Sequence, residues 1–202
     1  MIVKSLLAAI GLTAALSASA APIVKNGNFE LGLTDWAKTG QVAVTGPNGA
    51  NFYFGAGNAA QNGTKVIAFN AGDKNPNGTL SQSFATTSLA HYIIDFYYGS
   101  TSCQTGCGQS IKTSVLGANG ADVLASTTSF GQAGGALQRF TFNFRADGTM
   151  TTLRFSDIAS NQTNSLDGVL DNVAVTAVPE PASLALLGLG LFGIAAGRRR
   201  RK

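Results

Sequence analysis

Phe140, Phe142 and Phe144 alternate with Thr141 and Asn143, and this period of two restricts the chain more than any other feature. Successive side chains of a strand point to opposite faces, so the pattern demands extended backbone with one greasy side. Tyr92, Ile94, Phe96 and Tyr98 repeat it, as do Ile67 with Phe69, Leu153 with Phe155, and Val173 with Val175. Between these runs lie Asn-Gly or Asp-Gly pairs at 48–49, 62–63, 77–78, 119–120, 147–148 and 167–168. Such pairs tolerate the positive φ of tight turns. The stretch from Phe144 to Leu153 around Asp147-Gly148 reads as a hairpin. No helical period of adequate length occurs between residues 22 and 177. Many short strands without crossover segments predict an all-β fold, an antiparallel β-sandwich of the jelly-roll kind.

The two ends follow different rules. Lys4 supplies a positive start, Leu6 to Leu16 is almost unbroken apolar sequence, and Ala18 and Ala20 flank Ser19 at the cleavage positions of a signal peptide. Residues 1–20 are therefore expected to form a signal helix that a signal peptidase removes, leaving Ala21 first. At the far end, Pro179 and Pro181 bracket Glu180, and neither proline can sit inside a helix. Ala182 to Gly197 then runs 16 residues without charge, about 24 Å as a helix against a hydrocarbon core of about 30 Å. Arg198, Arg199, Arg200, Arg201 and Lys202 close the chain and would stay on the cytoplasmic side of an inner membrane. The partition is thus 1–20, 21–177 and 178–202, the last with a short transmembrane helix.

Charge narrows the partners of the middle. The chain has 14 Lys+Arg and 10 Asp+Glu; setting aside Lys4, the five terminal cations and Glu180 leaves 8 cations against 9 anions in residues 21–177. Nucleic acid needs clustered cations, so it is excluded as a partner. That middle is long enough to bury about two-thirds of its unfolded surface around one core. Cys103 and Cys107 are the only cysteines, and export to an oxidising compartment favours a local disulfide between them.

Residues 178–202 resemble a PEP-CTERM sorting segment, with Pro-Glu-Pro, a short helix and an arginine cluster. The resemblance implies an exported protein of a Gram-negative bacterium, handled by an exosortase at the inner membrane and bound for the cell surface or extracellular matrix. A second resemblance spans the domain. Asn26-Gly27-Asn28-Phe29-Glu30 with Trp36, and Leu170-Asp171-Asn172-Val173-Ala174-Val175, resemble the first and last strands of galactose-binding-like jelly rolls. That group includes carbohydrate-binding modules, DUF642 domains and choice-of-anchor C surface proteins. It implies one structural Ca2+ between Glu30 and Asp171, helped by carbonyls near Asn28 and Lys65, although Asn172 stands where many modules carry a second acid.

Candidate chemistry in the domain is sparse. Trp36, Phe52, Tyr53 and Phe54 are the candidate sugar-stacking platform, although Trp36 reads more simply as an aromatic that caps the core. His91 is the sole histidine and starts a strand, where a surface position is ordinary. No GxSxG, HExxH or P-loop occurs. Asp95, Asp147, Asp157 and Asp167 are the carboxylates from which a glycosidase pair would have to come, and Asp147 and Asp167 precede glycine as turn residues do. The expectation is a non-enzymatic surface or matrix protein associated with exopolysaccharide or biofilm. Its alternatives are an adhesin acting through protein contacts and a glycan-active hydrolase.

Overall fold

The opening segment is organised by a single side chain. Asn26 donates from Nδ2 to the carbonyls of Gly32 (3.0 Å) and Thr34 (2.9 Å), and its Oδ1 accepts the Leu31 amide at 3.1 Å. Those bonds hold residues 26–34 in a loop in which Asn26, Phe29 and Gly32 all take positive φ. The result is to drive Phe29 and Trp36 into the interior. Gly27 follows because nothing larger fits: an added Cβ would lie 1.9 Å from the Val173 carbonyl oxygen.

The computed structural model describes residues 21–45, 63–100, 108–132, 137–161 and 167–179, and Ala21–Val178 form one compact unit. Among the described residues there are ten strands: β1 (Ala37–Thr39), β2 (Val42–Thr45), β3 (Val66–Phe69), β4 (Thr79–Ala85), β5 (His91–Ser100), β6 (Gly108–Leu116), β7 (Val123–Gln132), β8 (Gln138–Arg145), β9 (Met150–Asp157) and β10 (Gly168–Ala177). They form two five-stranded antiparallel sheets, ordered β1-β4-β9-β6-β7 and β2-β3-β10-β5-β8. The expected all-β sandwich is what the chain forms.

The core lies between the sheets and is built by the alternation read above. Tyr92, Ile94, Phe96 and Tyr98 of β5 are all buried, as are Leu153 and Phe155 of β9, Ile67 and Phe69 of β3, and Val173 and Val175 of β10. Phe96 meets Phe155 edge-on across the sheets, with centroids 5.2 Å apart, and stacks on Phe140 at 5.6 Å. Each such buried side chain contributes about 1.5–3 kcal/mol relative to exposure.

One local expectation is overturned. β8 pairs with β5 in the second sheet, whereas β9 pairs with β4 and β6 in the first, so Asp147-Gly148 is the corner between sheets and not a hairpin. Gly148 accordingly lacks the positive φ of a two-residue hairpin turn, which Gly120 does show at 72°. The tight hairpin in this region is β6–β7, where Asn119 Oδ1 accepts the amides of Ala121 (2.9 Å) and Asp122 (3.0 Å). Alternation reports which side chains face inward. It cannot say whether two consecutive strands lie side by side or stack face to face.

The two motifs at the domain's ends meet in space. Asn172 takes φ 49° at a bulge in β10, which turns the Val173 amide onto the Gly27 carbonyl at 2.8 Å. Ile23 continues the contact, donating to Val175 O at 2.8 Å.

Candidate functional site

Facing residues of an antiparallel pair share a side of the sheet, so the registers define what each sheet shows to solvent. On the first sheet, Thr79 of β4, Ser156 of β9, Lys112 of β6 and Thr128 of β7 stand in one row. Ser81, Arg154, Ser114 and Ser126 form the next, with Ser114 itself buried, and Ser83 with Thr152 begins a third. Their strand neighbours Leu80, Phe84, Leu153, Phe155, Ile111 and Val115 take the inward positions. The outer face is thus a grid of hydroxyls in which Lys112 and Arg154 are diagonal neighbours, both exposed.

No carboxylate stands in these rows. Among the described residues the ion pair is Arg139 with Asp95, on the other sheet, so neither Lys112 nor Arg154 is neutralised there. The hydroxyls bond sideways, Thr39 to Thr79 at 2.6 Å and Ser83 to Thr152 at 2.7 Å. Each hydroxyl keeps acceptor capacity, and strands about 4.8 Å apart space the groups regularly. Phe130 continues the same face beside Ser110 and is 52% exposed, with its ring over Gly108. The arrangement offers donors, acceptors, two cations and one apolar ring on a broad surface.

The second sheet's outer face is differently used. Asp95 accepts Nε (3.0 Å) and Nη2 (2.8 Å) of Arg139 and the Thr141 hydroxyl. Tyr97 lies between Asp171 and Arg139 in register. Val66, Ala68, Val169 and Asp171 are buried although they point away from the core. The Asp95 and Arg139 charges offset each other here, and Arg145 donates from Nε to the Leu89 carbonyl at 3.0 Å.

The residues singled out from sequence are distributed as follows. Trp36 is 7% exposed, donates from Nε1 to Asn26 O at 3.1 Å, and packs against Phe29 (5.3 Å) and Phe155 (6.4 Å). Its role as a sugar platform is therefore corrected to that of a core cap, because its ring is taken up by neighbours. Phe52, Tyr53, Phe54, Cys103, Cys107, Ala18, Ala20, Glu180, Pro181 and Arg198, Arg199, Arg200 and Arg201 lie outside the described residues; Pro179 is the last one inside. His91 is exposed opposite Arg145. Asp147 caps the β6–β7 turn by accepting the Ala118 amide at 3.0 Å.

Glu30 is clamped by protein donors. Its Oε1 accepts the amides of Thr64 and Lys65, each at 2.7 Å, and Oε2 accepts the Thr64 hydroxyl at 3.2 Å. Desolvation alone would raise its pKa, but the Lys65 and Thr64 amides, the Thr64 hydroxyl and the Lys65 charge hold the carboxyl below its ordinary value. Gly63 makes the approach feasible, since a Cβ there would sit 2.3 Å from Glu30 Cδ. Asp171, 0% exposed, accepts the Asn172 amide at 2.6 Å. Calcium between these two carboxylates does not fit the donor set: Glu30's oxygens face N–H and O–H groups, and the Lys65 ammonium already occupies the Glu30 carbonyl at 2.7 Å. Among the described residues no three acidic, histidine or cysteine side chains gather as a metal group.

The signal that would have located the hydroxyl face is in the sequence. It is the polar half of the alternation, as in Ser110-Ile111-Lys112-Thr113-Ser114 and Thr79-Leu80-Ser81-Gln82-Ser83.

Comparison with known proteins agrees with this architecture. Residues 22–176 match the family described as protein of unknown function DUF642, and residues 177–201 match the PEP-CTERM protein-sorting motif. Among solved structures, a family 61 carbohydrate-binding module in complex with β-1,4-galactotriose shares the fold at TM-score 0.51 and 18% identity, over 78% of this chain and 99% of that one. The CBM22-1 xylan-binding domain of Paenibacillus barcinonensis Xyn10C does so at 0.51 and 16%, over 81% and 99%. A family 4 module does so at 0.51 and 15%, over 74% and 99%. No curated protein matches the chain in sequence.

Proposed function

The chain belongs to the DUF642 family, and from that premise we propose that it is an exported, non-catalytic surface or matrix protein that binds acidic extracellular polysaccharide on the outer face of its first sheet. The observation that carries the reading is the pairing of Lys112 and Arg154 within a hydroxyl grid that has no carboxylate. Exposed cations attract carboxylate or sulfate groups over a Debye length of about 8 Å at physiological salt. Serine and threonine hydroxyls exchange hydrogen bonds with sugar hydroxyls, and Phe130 offers a ring for an apolar sugar face.

The sorting motif at 177–201 supports export and handling by an exosortase. In this reading signal peptidase first removes residues 1–20, the C-terminal helix holds the chain briefly at the inner membrane of a Gram-negative cell, and the domain reaches the surface or matrix. The non-catalytic assignment is supported by the fate of the candidate acids. Asp95 is held by Arg139 and Thr141, Asp147 by a turn amide, and Asp157 and Asp167 face the sandwich interior or are buried.

Affinity electrophoresis of the full chain in gels containing acidic or neutral polysaccharides tests the proposal. Retardation by uronate-rich polymers that weakens with salt and is lost in Lys112→Ser and Arg154→Ser is expected. Migration unaffected by every polymer, or retardation unchanged in both variants, would return the choice to an adhesin acting through protein contacts.

A further inference from the structure

Three inward-facing series turn polar at the same end of the sandwich. Along β9 the series runs Thr151, Leu153, Phe155, Asp157; along β6, Val115, Thr113, Ile111, Gln109; along β5, Tyr92, Ile94, Phe96, Tyr98. Ile111 stands opposite Asp157, and Leu170 opposite Tyr98, so Gly168 is the next inward position on β10. A Cβ at Gly168 would lie 2.3 Å from the Tyr98 hydroxyl oxygen. The phenol is therefore aimed at the start of β10, where Asp167 is 7% exposed.

Buried oxygens in this interior lack partners: Thr113 Oγ1 on β6, and at the polar end Tyr98 Oη and Asp157 Oδ2. Tyr98 is 0% exposed and its hydroxyl has no hydrogen bond. Asp157 accepts the Ile158 amide at 2.9 Å and the Asn161 side-chain amide, both on Oδ1, which leaves Oδ2 buried and unpaired. Asn161 is itself fixed to Ser110, accepting from N at 2.9 Å and donating to O at 2.7 Å, so Asp157 is held in place. An unpaired buried polar group costs roughly 1–3 kcal/mol, more if charged. Asp157 has no cationic side chain bonded to it among the described residues.

We propose that Asp157, Asp167 and Tyr98 form a buried site for a calcium-class cation at this end of the domain. The donors are all oxygen, two of them carboxylates, which is the chemistry of a hard cation and lacks the nitrogen or sulfur donors that zinc prefers. Gly168 lets the phenol reach the start of β10, because any side chain there would collide with the Tyr98 oxygen. The electrostatics agree: burial and then the charge of Asp157 push the Tyr98 phenol up, and burial pushes Asp157 up with a further contribution from Asp167. A bound cation would relieve both costs and tie Asp157 of β9 to Asp167 just before β10. The site is separate from Glu30 and Asp171.

Calcium and terbium titrations of the full chain in detergent test it. One equivalent of calcium should bind, and terbium at the same site should give luminescence sensitised mainly by Tyr98. Asp157→Asn and Asp167→Asn should each weaken binding by roughly tenfold or more, because affinity follows ligand charge, while Glu30→Gln leaves it intact. Tyr98→Phe, which removes one buried oxygen, should keep calcium stoichiometry and lose most of the emission, so it carries the test if an Asn variant fails to fold. No uptake of either ion, uptake unchanged in both Asn variants, loss only in Glu30→Gln, or emission unchanged in Tyr98→Phe would overturn the site. Polysaccharide retardation that survives these outcomes would leave the hydroxyl face standing by itself.

Discussion

Glu30 and Lys65 hold each other twice: the carboxylate Oε1 of Glu30 accepts the Lys65 amide at 2.7 Å, and the Lys65 ammonium donates to the Glu30 carbonyl at 2.7 Å. The clasp joins the opening loop to the start of β3, with Thr64 adding two more bonds. Glu30→Ala should lower unfolding free energy by about 0.5–1.5 kcal/mol, the net worth of hydrogen bonds that water can partly replace, measured by urea denaturation. The pH dependence has a definite sign. A carboxyl held below its ordinary value in the fold contributes stability above the unfolded value of about 4.3, and loses it as pH falls through the folded one. Acid unfolding should therefore be shallower in Glu30→Gln than in the parent.

Gly168 and Tyr98 should be coupled. Gly168→Ala forces a methyl to within 2.3 Å of the phenol oxygen, an overpacking expected to cost about 1–3 kcal/mol. Combining it with Tyr98→Phe removes the opposing oxygen and should recover part of that loss. A double-mutant cycle by thermal denaturation checks the coupling.

Asp157 should show the opposite acid response to Glu30. Its carboxyl is raised in the metal-free fold, first by burial and then by Asp167, so its contribution favours the fold at low pH and is lost as pH rises through the unfolded and then the folded value. In chelator-treated protein at neutral pH, Asp157→Asn should be as stable as the parent or more so. Added calcium should reverse that order, as thermal denaturation would show.

Trp36→Ala should act on stability. The ring caps the core between Phe29 and Phe155, so truncation should cost about 3–5 kcal/mol. In the temperature range where the variant stays folded, its retardation by polysaccharide should equal the parent's.

How much of this was legible beforehand depends on which face of each strand carried the signal. The greasy positions of β5, β9 and β10 announced the sandwich, because burial enforces a strict period of two. Asn26-Gly27 and Asp171-Asn172-Val173 announced that the chain's ends meet, though their work proved to be backbone geometry, a loop hub and a bulge, and not ion binding. Asp147-Gly148 misled because the same dipeptide serves a hairpin and a corner. The Lys112 and Arg154 face was missed because its residues are ordinary singly; only the strand registers bring them together from β6 and β9.

The most direct test of the binding account is a map of amide chemical shifts during titration of the full chain in detergent with an acidic oligosaccharide. The account predicts saturable shifts centred on Ser81, Lys112, Thr128 and Arg154, fading as salt is raised. Shifts centred instead on Asp95, Tyr97 and Arg139, or none with any acidic glycan, would contradict it.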